Sequence, residues 1–316
     1  MAKRDPLEDR LVVLIGGSGF LGTHVAQALL ERGARLRIAS RHPEKAFRLK
    51  PLANLGQIQF VRCDVNNPAS IEAVMRGADA AAYLVGVFKG NLKALHTAGA
   101  GSAAKAAAEA GAGAFAYVSA IGANADSESG YARTKALGEQ AVLEAFPRAT
   151  VLRPSVLFGE GDQFINMFAG LVSTMPVVPI FGADAKLQPL WVNDAAEALA
   201  AALADPASHG GKTYELAGPQ VTTMGKLNRR IAEAQGRRCS FIEMPDAISA
   251  IFASLPGTPM NRDQWRMLQD GSIASGDLPG IERLGVQPRP LELFLDKWMV
   301  RYRRHGRFGA KPETVR

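Results

Sequence analysis

Three side chains in the first half of the sequence have the types and the spacing for proton and hydride chemistry. Tyr131 and Lys135 lie four residues apart, so a helix places a phenol and an ammonium group on one face. A neighbouring ammonium group lowers the pKa of a phenol, which can then exchange a proton with a carbonyl or hydroxyl oxygen. Ser119, at the end of a predicted strand, can hydrogen-bond the same oxygen. The pattern Y-x-x-x-K is common by chance, whereas the three residues together indicate a catalytic site of the reductase type.

A glycine-rich turn near the N-terminus has the spacing of a dinucleotide-binding loop. The apolar run 11–15 precedes the pattern G-x-x-G-x-x-G, and apolar residues recur at helical spacing behind it. Such glycines permit a tight turn out of the strand, close approach of backbone to a pyrophosphate, and packing of the helix on the strand. The phosphates would lie at the N-terminus of the helix, where its dipole favours negative charge. The predicted cofactor contacts in this turn are Gly16, Ser18, Gly19, Phe20, Leu21 and Gly22.

The end of the second predicted strand indicates which dinucleotide to expect. NAD-binding domains usually offer an acidic residue to the ribose hydroxyls here, but this sequence has Ser40, Arg41 and His42. An acid would repel a 2′-phosphate, whereas Arg41 can bind one through charge-assisted hydrogen bonds, helped by the Ser40 hydroxyl. A solvated basic loop is the alternative interpretation. The cofactor predicted from the sequence is NADP or NADPH rather than NAD.

Further cofactor contacts are predicted where other parallel strands end. Open α/β sheets bind their ligands at the carboxyl ends of the strands. Asp64 follows the third predicted strand, where it either meets the adenine edge or caps the next turn, and the sequence leaves both interpretations open. The other predicted contacts are Val65, Leu84, Val85, Gly86, Tyr131, Lys135 and Pro154.

Strands alternate with helices through the first half of the chain. Apolar runs predict strands at 11–15, 35–39, 58–62, 80–85, 115–119 and 150–157, with helical patterns between most of them. This order implies βαβ units and a parallel sheet covered on both faces. We expect a Rossmann-like, doubly wound α/β fold with a cofactor domain over 1–160, continued by strands near 187–192 and 212–216. A smaller α/β lobe is expected over 161–300, and a basic tail over 301–316.

The second half contains two stretches with large apolar residues. From Phe241 to Leu255 they predict a buried helix, with an interfacial or partner-binding helix as the alternative. From Leu291 to Met299 they precede a basic cluster at 301–307, which suits an anionic membrane surface or an acidic protein. A solvated terminal helix is the other interpretation of that cluster.

Composition narrows the class of protein. The 316 residues are 47% hydrophobic and 21% charged, as in a soluble globular protein with a sizeable core. The net charge of +7 permits an anionic partner without requiring one, and no nucleic-acid partner is expected. Cys63 and Cys239 have neither metal-ligand nor disulfide spacing, so no metal site is predicted. Without an apolar membrane span, signal peptide or transit peptide in the sequence, we expect a protein of the bacterial cytoplasm.

The glycine turn, Ser119 and the pair Tyr131 and Lys135 resemble the short-chain dehydrogenase/reductase superfamily in its extended or atypical branch. Nearly the whole chain also resembles a narrower family, the NADPH-binding accessory subunit of respiratory complex I (alpha-subcomplex subunit 9) and its bacterial relatives. The segments that carry this second resemblance are YARTKALGE (131–139), RPSVLFGEG (153–161), DQFINMF (162–168), QPLWVND (188–194) and LPGIERLGVQPRPLEL (278–293).

The resemblance implies a tightly held NADPH without established turnover, in a subunit on the peripheral arm of complex I near the membrane. For a bacterial relative this is the cytoplasmic side of the inner membrane. The alternative is a free NADP-dependent reductase, epimerase or dehydratase that uses Ser119, Tyr131 and Lys135 on a nucleotide sugar or another carbonyl substrate. An NADPH-sensing regulator is a third class. The segment 278–293 and the basic tail favour the subunit.

Overall fold

The structure is a computed structural model that describes residues 4–255, 258, 260–304 and 306. The chain divides into two compact units. Unit 1 takes its described residues from Met1–Pro154, Val192–Leu216 and Ala274–Pro288. Unit 2 takes them from Ser155–Trp191, Ala217–Ile273 and Arg289–Arg316.

The strands in chain order are β1 (Leu11–Ile15), β2 (Arg35–Ser40), β3 (Ile58–Arg62), β4 (Ala80–Tyr83), β5 (Ala114–Val118), β6 (Thr150–Pro154), β7 (Leu157–Phe158), β8 (Val177–Phe181), β9 (Lys186–Leu187), β10 (Leu190–Trp191), β11 (Thr213–Leu216), β12 (Thr222–Thr223) and β13 (Ser240–Met244).

The α-helices in chain order are α1 (Phe20–Glu31), α2 (Pro68–Met75), α3 (Gly99–Glu109), α4 (Gly130–Ala145), α5 (Phe164–Thr174), α6 (Val192–Ala204), α7 (Pro206–His209), α8 (Met224–Gln235), α9 (Asp246–Phe252), α10 (Arg262–Asp270) and α11 (Glu292–Met299). A π-helix spans Lys93–Ala98, and 3₁₀-helices span Pro43–Leu52, Ile281–Leu284 and Val300–Tyr302.

A seven-stranded sheet forms the core of unit 1. Its strand order is β11-β6-β5-β4-β1-β2-β3, and every neighbouring pair is parallel. The strands β1, β4 and β5 are continuous apolar runs with buried side chains, as expected where helices cover both faces of a sheet. The helices α1 and α6 pack together, and α3 packs between α2 and α4. The predicted Rossmann-like, doubly wound fold is confirmed.

The segment 187–192 was expected to continue this sheet, and it does not join it. Instead β10 pairs with β7 and β9 pairs with β12, in two-stranded sheets of unit 2. Pro189 lies between β9 and β10, and because a proline has no N–H to donate to a sheet ladder, the two short strands end on either side of it. The later segment does join: β11 lies beside β6.

The helix predicted from Phe241 to Leu255 is wrong in its first half. Residues 240–244 form β13, which pairs in parallel with β8, and α9 begins only after Pro245. A short apolar run does not distinguish a strand from a helix by its periodicity. Four large apolar side chains of this stretch are exposed by between 47% and 65%, and they are Ile242, Ile248, Ile251 and Leu255.

The apolar side of α11 packs inside unit 2. Trp298 and Met299 are buried, and Trp298 Nε1 and the Tyr302 hydroxyl both donate to Asn166 Oδ1, at 3.0 and 2.8 Å. Arg301, the first residue of the basic cluster, forms an ion pair with Glu160. The apolar half of this amphipathic stretch is therefore part of the unit 2 core.

Two further observations concern the whole described chain. None of its helices has the length and apolar character that a membrane span requires. Within the same residues, no group of His, Cys, Asp and Glu side chains is arranged to hold a metal ion. Part of the expected basic tail, His305 and residues 307–316, lies outside the described residues.

Candidate functional site

The residues predicted for the site lie at one edge of the unit 1 sheet. Parallel strands have their carboxyl ends together, and ligands of such sheets bind there. Strand by strand, the site residues are Gly16 after β1, Ser40 at the end of β2, Asp64 after β3, Leu84 after β4, Ser119 after β5 and Pro154 at the end of β6. The helix α4 brings Tyr131 and Lys135 to the same edge, since Lys135 contacts the chain just after β4 and at the end of β5.

The glycine turn leaves room that a side chain would fill. Gly16 has a φ of +83°, a conformation that L side chains rarely adopt. A Cβ at Gly22 would lie 2.6 Å from Gly17 Cα and 2.7 Å from Gly16 O, inside the backbone of the turn. A Cβ at Gly19, the N-cap of α1, would approach only Gly16 O, at 3.3 Å. Gly16 and Gly22 therefore carry the steric requirement, and a helix N-terminus such as that of α1 is suited to an anion.

A hydroxyl pair links the glycine turn to the end of β2. The Ser18 hydroxyl donates to Ser40 Oγ at 2.9 Å. Sequence reasoning assigned both residues to the cofactor but did not expect this bond, which joins positions 22 residues apart. Arg41, the next residue, is exposed, and His42 lies 3.2 Å from a carboxylate oxygen of Glu44. The predicted 2′-phosphate contacts thus lie at the site edge, with His42 paired to an acid.

Arg48 is a cation that sequence reasoning missed. The 3₁₀-helix Pro43–Leu52 carries it back to α1, where Arg48 Nη2 donates to Thr23 Oγ1 at 2.8 Å. Thr23 directly follows Gly22, so a guanidinium lies one residue beyond the glycine turn. No spacing pattern announced this contact, because it depends on the path of the intervening chain.

Asp64 caps the turn that follows β3. Its Oδ1 accepts hydrogen bonds from the backbone N–H and the side-chain amide of Asn66, both at 3.0 Å. One of the two interpretations of Asp64 is thus observed. Its contact with an adenine edge stays a prediction.

Lys135 is buried and holds two strand ends together. Its Nζ donates to Val85 O at 2.9 Å and to Val118 O at 2.8 Å, and the side chain is 1% exposed. Burial lowers the pKa of Lys135 to about 7, and the charge of Glu139 opposes this shift only in part.

Tyr131 is also buried, with 8% of its surface exposed. Burial raises the pKa of the Tyr131 phenol above its ordinary value, because a phenolate loses its hydration. The expectation that Lys135 lowers this pKa is wrong for this arrangement. Lys135 Nζ lies 5.9 Å from the centre of the Tyr131 ring and donates to backbone carbonyls instead.

Two residues that sequence reasoning missed surround Tyr131. The Phe88 ring stacks on it with 4.6 Å between ring centres and 24° between planes. The His96 ring meets it edge-on, at 5.2 Å and 84°. His96 lies in the π-helix and Phe88 in the loop before it, and neither stands at a motif spacing. π-helices are frequent at functional sites, so the π-helix that carries His96 is an indication that this residue belongs to the site.

A buried ion pair fixes α4 against the sheet. Arg153 Nε and Nη2 donate to the two carboxylate oxygens of Glu139, at 2.9 and 2.6 Å. Glu215, opposite Arg153 in β11, accepts from the Ser275 backbone N–H at 2.6 Å and donates its own N–H to Pro279 O. The motif segments 131–139, 153–161 and 278–293 therefore meet in one network of unit 1.

A buried hydroxyl and a backbone cradle decide whether the site fits a nicotinamide dinucleotide. Ser119 Oγ is buried, and within the described residues it has no hydrogen-bond partner. A buried hydroxyl without a partner costs about 1–3 kcal/mol unless a bound group supplies one. The backbone cradle at Gly22 and this orphaned hydroxyl follow strands β1 and β5 at the same sheet edge, where Lys135 of α4 donates to the end of β5. The residues present fit the group.

Comparison with known proteins gives the same direction. The sequence profile of the NAD dependent epimerase/dehydratase family matches residues 12–217. A mitochondrial protein of Arabidopsis thaliana, NADH dehydrogenase [ubiquinone] 1 alpha subcomplex subunit 9, is 30% identical over 97% of this chain and 82% of its own length. The Mus musculus protein of that name is 29% identical over 99% and 86%.

Two other similarities are broader. A ceramide reductase of Caulobacter vibrioides is 29% identical over 79% of this chain and 80% of its own length. The crystal structure of DesIV, a dTDP-glucose 4,6-dehydratase from Streptomyces venezuelae with NAD and TYD bound, aligns with a TM-score of 0.70 at 17% identity. That alignment covers 94% of this chain and 98% of DesIV, and at this identity it supports the fold alone.

Proposed function

The chain belongs to the NAD dependent epimerase/dehydratase family and, within it, to the alpha subcomplex subunit 9 family, and from this premise we propose that it is an NADPH-binding accessory subunit of respiratory NADH:quinone oxidoreductase (complex I). The similarity to the Arabidopsis thaliana subunit, which runs over 97% of this chain, carries the proposal. It includes the segments outside the cofactor fold that a free reductase has no reason to share.

The cofactor of this proposal is NADPH. Arg41 is exposed at the end of β2, and Arg48 is held beside the glycine turn. Both are cations suited to a 2′-phosphate, and among residues 40–42 there is no acid to repel it. The turn 16–22 binds the pyrophosphate, and Ser119 and Lys135 hold the nicotinamide end. When bound, the cofactor supplies a hydride donor or acceptor.

The cofactor acts in this proposal mainly as part of the fold. A ligand that binds only the native state stabilises it by about 2.7 kcal/mol when its concentration is 100 times the Kd. The raised pKa of the Tyr131 phenol agrees with a quiet site, because the phenol stays protonated and buried. Proton exchange with a substrate would first require access to it.

The proposed partners are subunits of the peripheral arm, and unit 2 offers a surface for them. Ile242 on β13 and Ile248 and Ile251 on α9 are large apolar side chains that are each about half exposed. Subunits bury exposed apolar side chains against their neighbours, and the proposal assigns these three side chains to such an interface. We place the protein on the cytoplasmic side of the bacterial inner membrane, with the basic residues Arg301, Arg303 and Arg304 facing anionic lipid.

Deleting the gene from a bacterium that carries it tests the proposal. We expect NADH:quinone oxidoreductase activity in the membranes to fall together with the amount of assembled complex. Tyr131→Phe should restore both, because it keeps the aromatic ring and removes only the proton donor. Unchanged assembly after deletion would contradict the subunit role.

A free carbonyl reductase is the second candidate. The similarity to a ceramide reductase and the presence of Ser119, Tyr131 and Lys135 favour it. In that case purified protein oxidises NADPH with a ketone substrate, and Tyr131→Phe lowers kcat by a factor on the order of 10²–10⁴. Restored assembly in the Tyr131→Phe strain separates this candidate from the subunit.

A further inference from the structure

We propose that Phe88 is a cover over Tyr131, and that His96 is the positioning residue that holds this cover closed. The cover controls the approach of a second molecule, one that brings a carbonyl or hydroxyl group, to the phenol. This inference rests on the proposed cofactor site, since it concerns what can reach the tyrosine side of that site.

The cover lies between Tyr131 and solvent. Phe88 is 43% exposed, whereas Tyr131, on which it stacks, is 8% exposed. Phe88 belongs to the loop 84–91, which follows β4 and has neither helix nor strand structure. A stacked ring on a loop is easier to displace than a side chain of the sheet or of α4, because fewer backbone hydrogen bonds oppose its movement.

His96 connects this loop to the helix of Tyr131. The Val87 N–H donates to His96 Nε2 at 3.2 Å, so Nε2 is the unprotonated nitrogen. The other nitrogen, Nδ1, then carries the proton and donates to Thr134 Oγ1 at 3.0 Å. The Thr134 hydroxyl donates in turn to Gly130 O at 2.7 Å, in the first turn of α4. One imidazole thus fixes Val87, the neighbour of Phe88, relative to the helix that carries Tyr131.

A second anchor holds the loop on the other side of Gly86. Val85 O accepts from Lys135 Nζ at 2.9 Å. A Cβ at Gly86 would lie 3.7 Å from both Lys135 Nζ and the Tyr131 hydroxyl oxygen, so backbone passes close to both groups. Because Lys135 and His96 hold residues 85 and 87, the position of Phe88 is determined by groups of the site itself.

The hydrogen bond from the Val87 N–H to His96 Nε2, here called the latch, persists across the physiological pH range. His96 is completely buried, and burial together with the charge of Lys135 lowers the pKa of His96 to about 3. The imidazole remains neutral above that pH and keeps its acceptor for Val87. Opening the cover therefore requires displacement by a bound molecule rather than protonation.

Hydrogen exchange at the Val87 amide tests the latch. His96→Phe keeps an aromatic ring but has no acceptor, whereas His96→Gln offers an oxygen to the same N–H. We expect His96→Phe to speed Val87 exchange at least tenfold and His96→Gln to leave it near the parent rate. Parental exchange in His96→Phe would overturn the latch, and so would equal acceleration in both variants, since this indicates only a loosened core.

Chemical labelling of Tyr131 tests the cover. N-acetylimidazole acylates accessible tyrosines, and mass spectrometry of the full chain without added cofactor gives the rate at each one. Phe88→Ala should raise the rate at Tyr131 about tenfold and leave the buried Tyr117 unlabelled. The matched control is Phe47→Ala, since Phe47 is 44% exposed and rests on Phe60, away from the tyrosine. An unchanged rate at Tyr131 in Phe88→Ala would overturn the cover.

Separate measurements test the proposed function and the Phe88 cover. NADPH affinity and membership of the respiratory complex test the proposed function, and the exchange and labelling rates do not depend on either. Normal NADPH binding with an unchanged Tyr131 labelling rate in Phe88→Ala removes the cover and keeps the function. If the chain does not bind NADPH but Phe88→Ala still accelerates the labelling of Tyr131, the proposed function is contradicted and the cover is supported.

Discussion

In the proposed cofactor site, the choice between NADPH and NADH depends on Arg41. It is exposed at the carboxyl end of β2, directly after the Ser40 hydroxyl that pairs with Ser18. An exposed guanidinium gains most when it meets a doubly charged phosphate, through charge-assisted and bidentate hydrogen bonds. The same residue contributes little to a cofactor that ends in a ribose hydroxyl.

We predict that Arg41→Asp weakens NADPH binding by a factor of about 10–100 and leaves NADH binding unchanged or stronger, corresponding to about 1.4–2.7 kcal/mol. Isothermal titration of both cofactors measures this. Arg35→Asp is the control, because Arg35 is exposed at the opposite end of the same strand. Equal affinities of the parent for NADPH and NADH would contradict the assignment.

The buried amine of Lys135 makes the free energy of unfolding depend on pH. In the unfolded chain its pKa has the ordinary value of 10.5, and in the folded chain burial lowers the pKa to about 7. Between these values the unfolded chain binds a proton that the folded chain does not, so this group makes stability rise with pH. Below pH 7 both states are protonated, and the cost of burying the charge is complete.

From pH 7 to pH 9 we predict that Lys135 contributes a rise on the order of 2 kcal/mol in the free energy of unfolding. Urea unfolding at several pH values measures it. Lys135→Met should remove this rise, whereas the exposed Lys105→Met should keep it. Parallel pH profiles of the parent and Lys135→Met would show that the buried amine keeps its ordinary pKa.

The turn between β1 and α1 is the element with the least space for added side-chain atoms. The space differs between its glycines, since a Cβ at Gly22 overlaps backbone at 2.6 Å and one at Gly19 meets a single oxygen at 3.3 Å. Backbone at the base of the turn cannot yield as a flexible side chain does. Two glycines of the same motif therefore have different tolerance for a methyl group.

We predict that Gly22→Ala abolishes measurable NADPH binding and lowers the free energy of unfolding by about 1–3 kcal/mol, as overpacking of a filled site does. Gly19→Ala should change the affinity by less than about tenfold. Fluorescence titration with NADPH and urea unfolding measure the two effects. Equal losses in both variants would contradict the steric account of the turn.

At the element scale the sequence predicted most of unit 1, and physical reasons explain the exceptions. Uninterrupted apolar runs predicted β1, β4 and β5 within a residue or two, because a strand covered on both faces needs them. The segment 187–192 forms two short strands on either side of Pro189 that pair within unit 2. The helix expected from Phe241 begins only at Asp246, because periodicity does not separate short strands from helices.

The predictability of the site follows the same division. Residues at motif spacing or at strand ends, such as Gly22, Ser119 and Lys135, could be named from the sequence. Phe88, His96 and Arg48 could not, because a loop, a π-helix and a 3₁₀-helix bring them to the site through contacts distant in sequence. The pKa of Tyr131 was also beyond the sequence, since its direction depends on burial.

At the scale of the whole molecule, the proposal assigns cofactor binding to unit 1 and partner binding to unit 2. Unit 1 holds the glycine turn, the strand ends and the Tyr131 surroundings, and unit 2 carries the exposed apolar side chains of β13 and α9. In the proposed function, the cofactor stabilises unit 1 and the exposed apolar side chains of unit 2 contact partner subunits. The net charge of +7 suits acidic neighbours or anionic lipid, and it is screened by salt over about 8–10 Å.

Co-purification tests the central claim most directly. The chain, tagged and expressed at its native level, is purified from detergent-solubilised membranes of the organism that makes it, and mass spectrometry identifies what accompanies it. We predict peripheral-arm subunits of NADH:quinone oxidoreductase in near-equal amounts, with NADPH released on denaturation, and loss of those subunits in Ile251→Asp but not in Leu55→Asp, the control at a fully exposed residue of unit 1. A chain that elutes alone and oxidises NADPH with a ketone substrate would contradict the account.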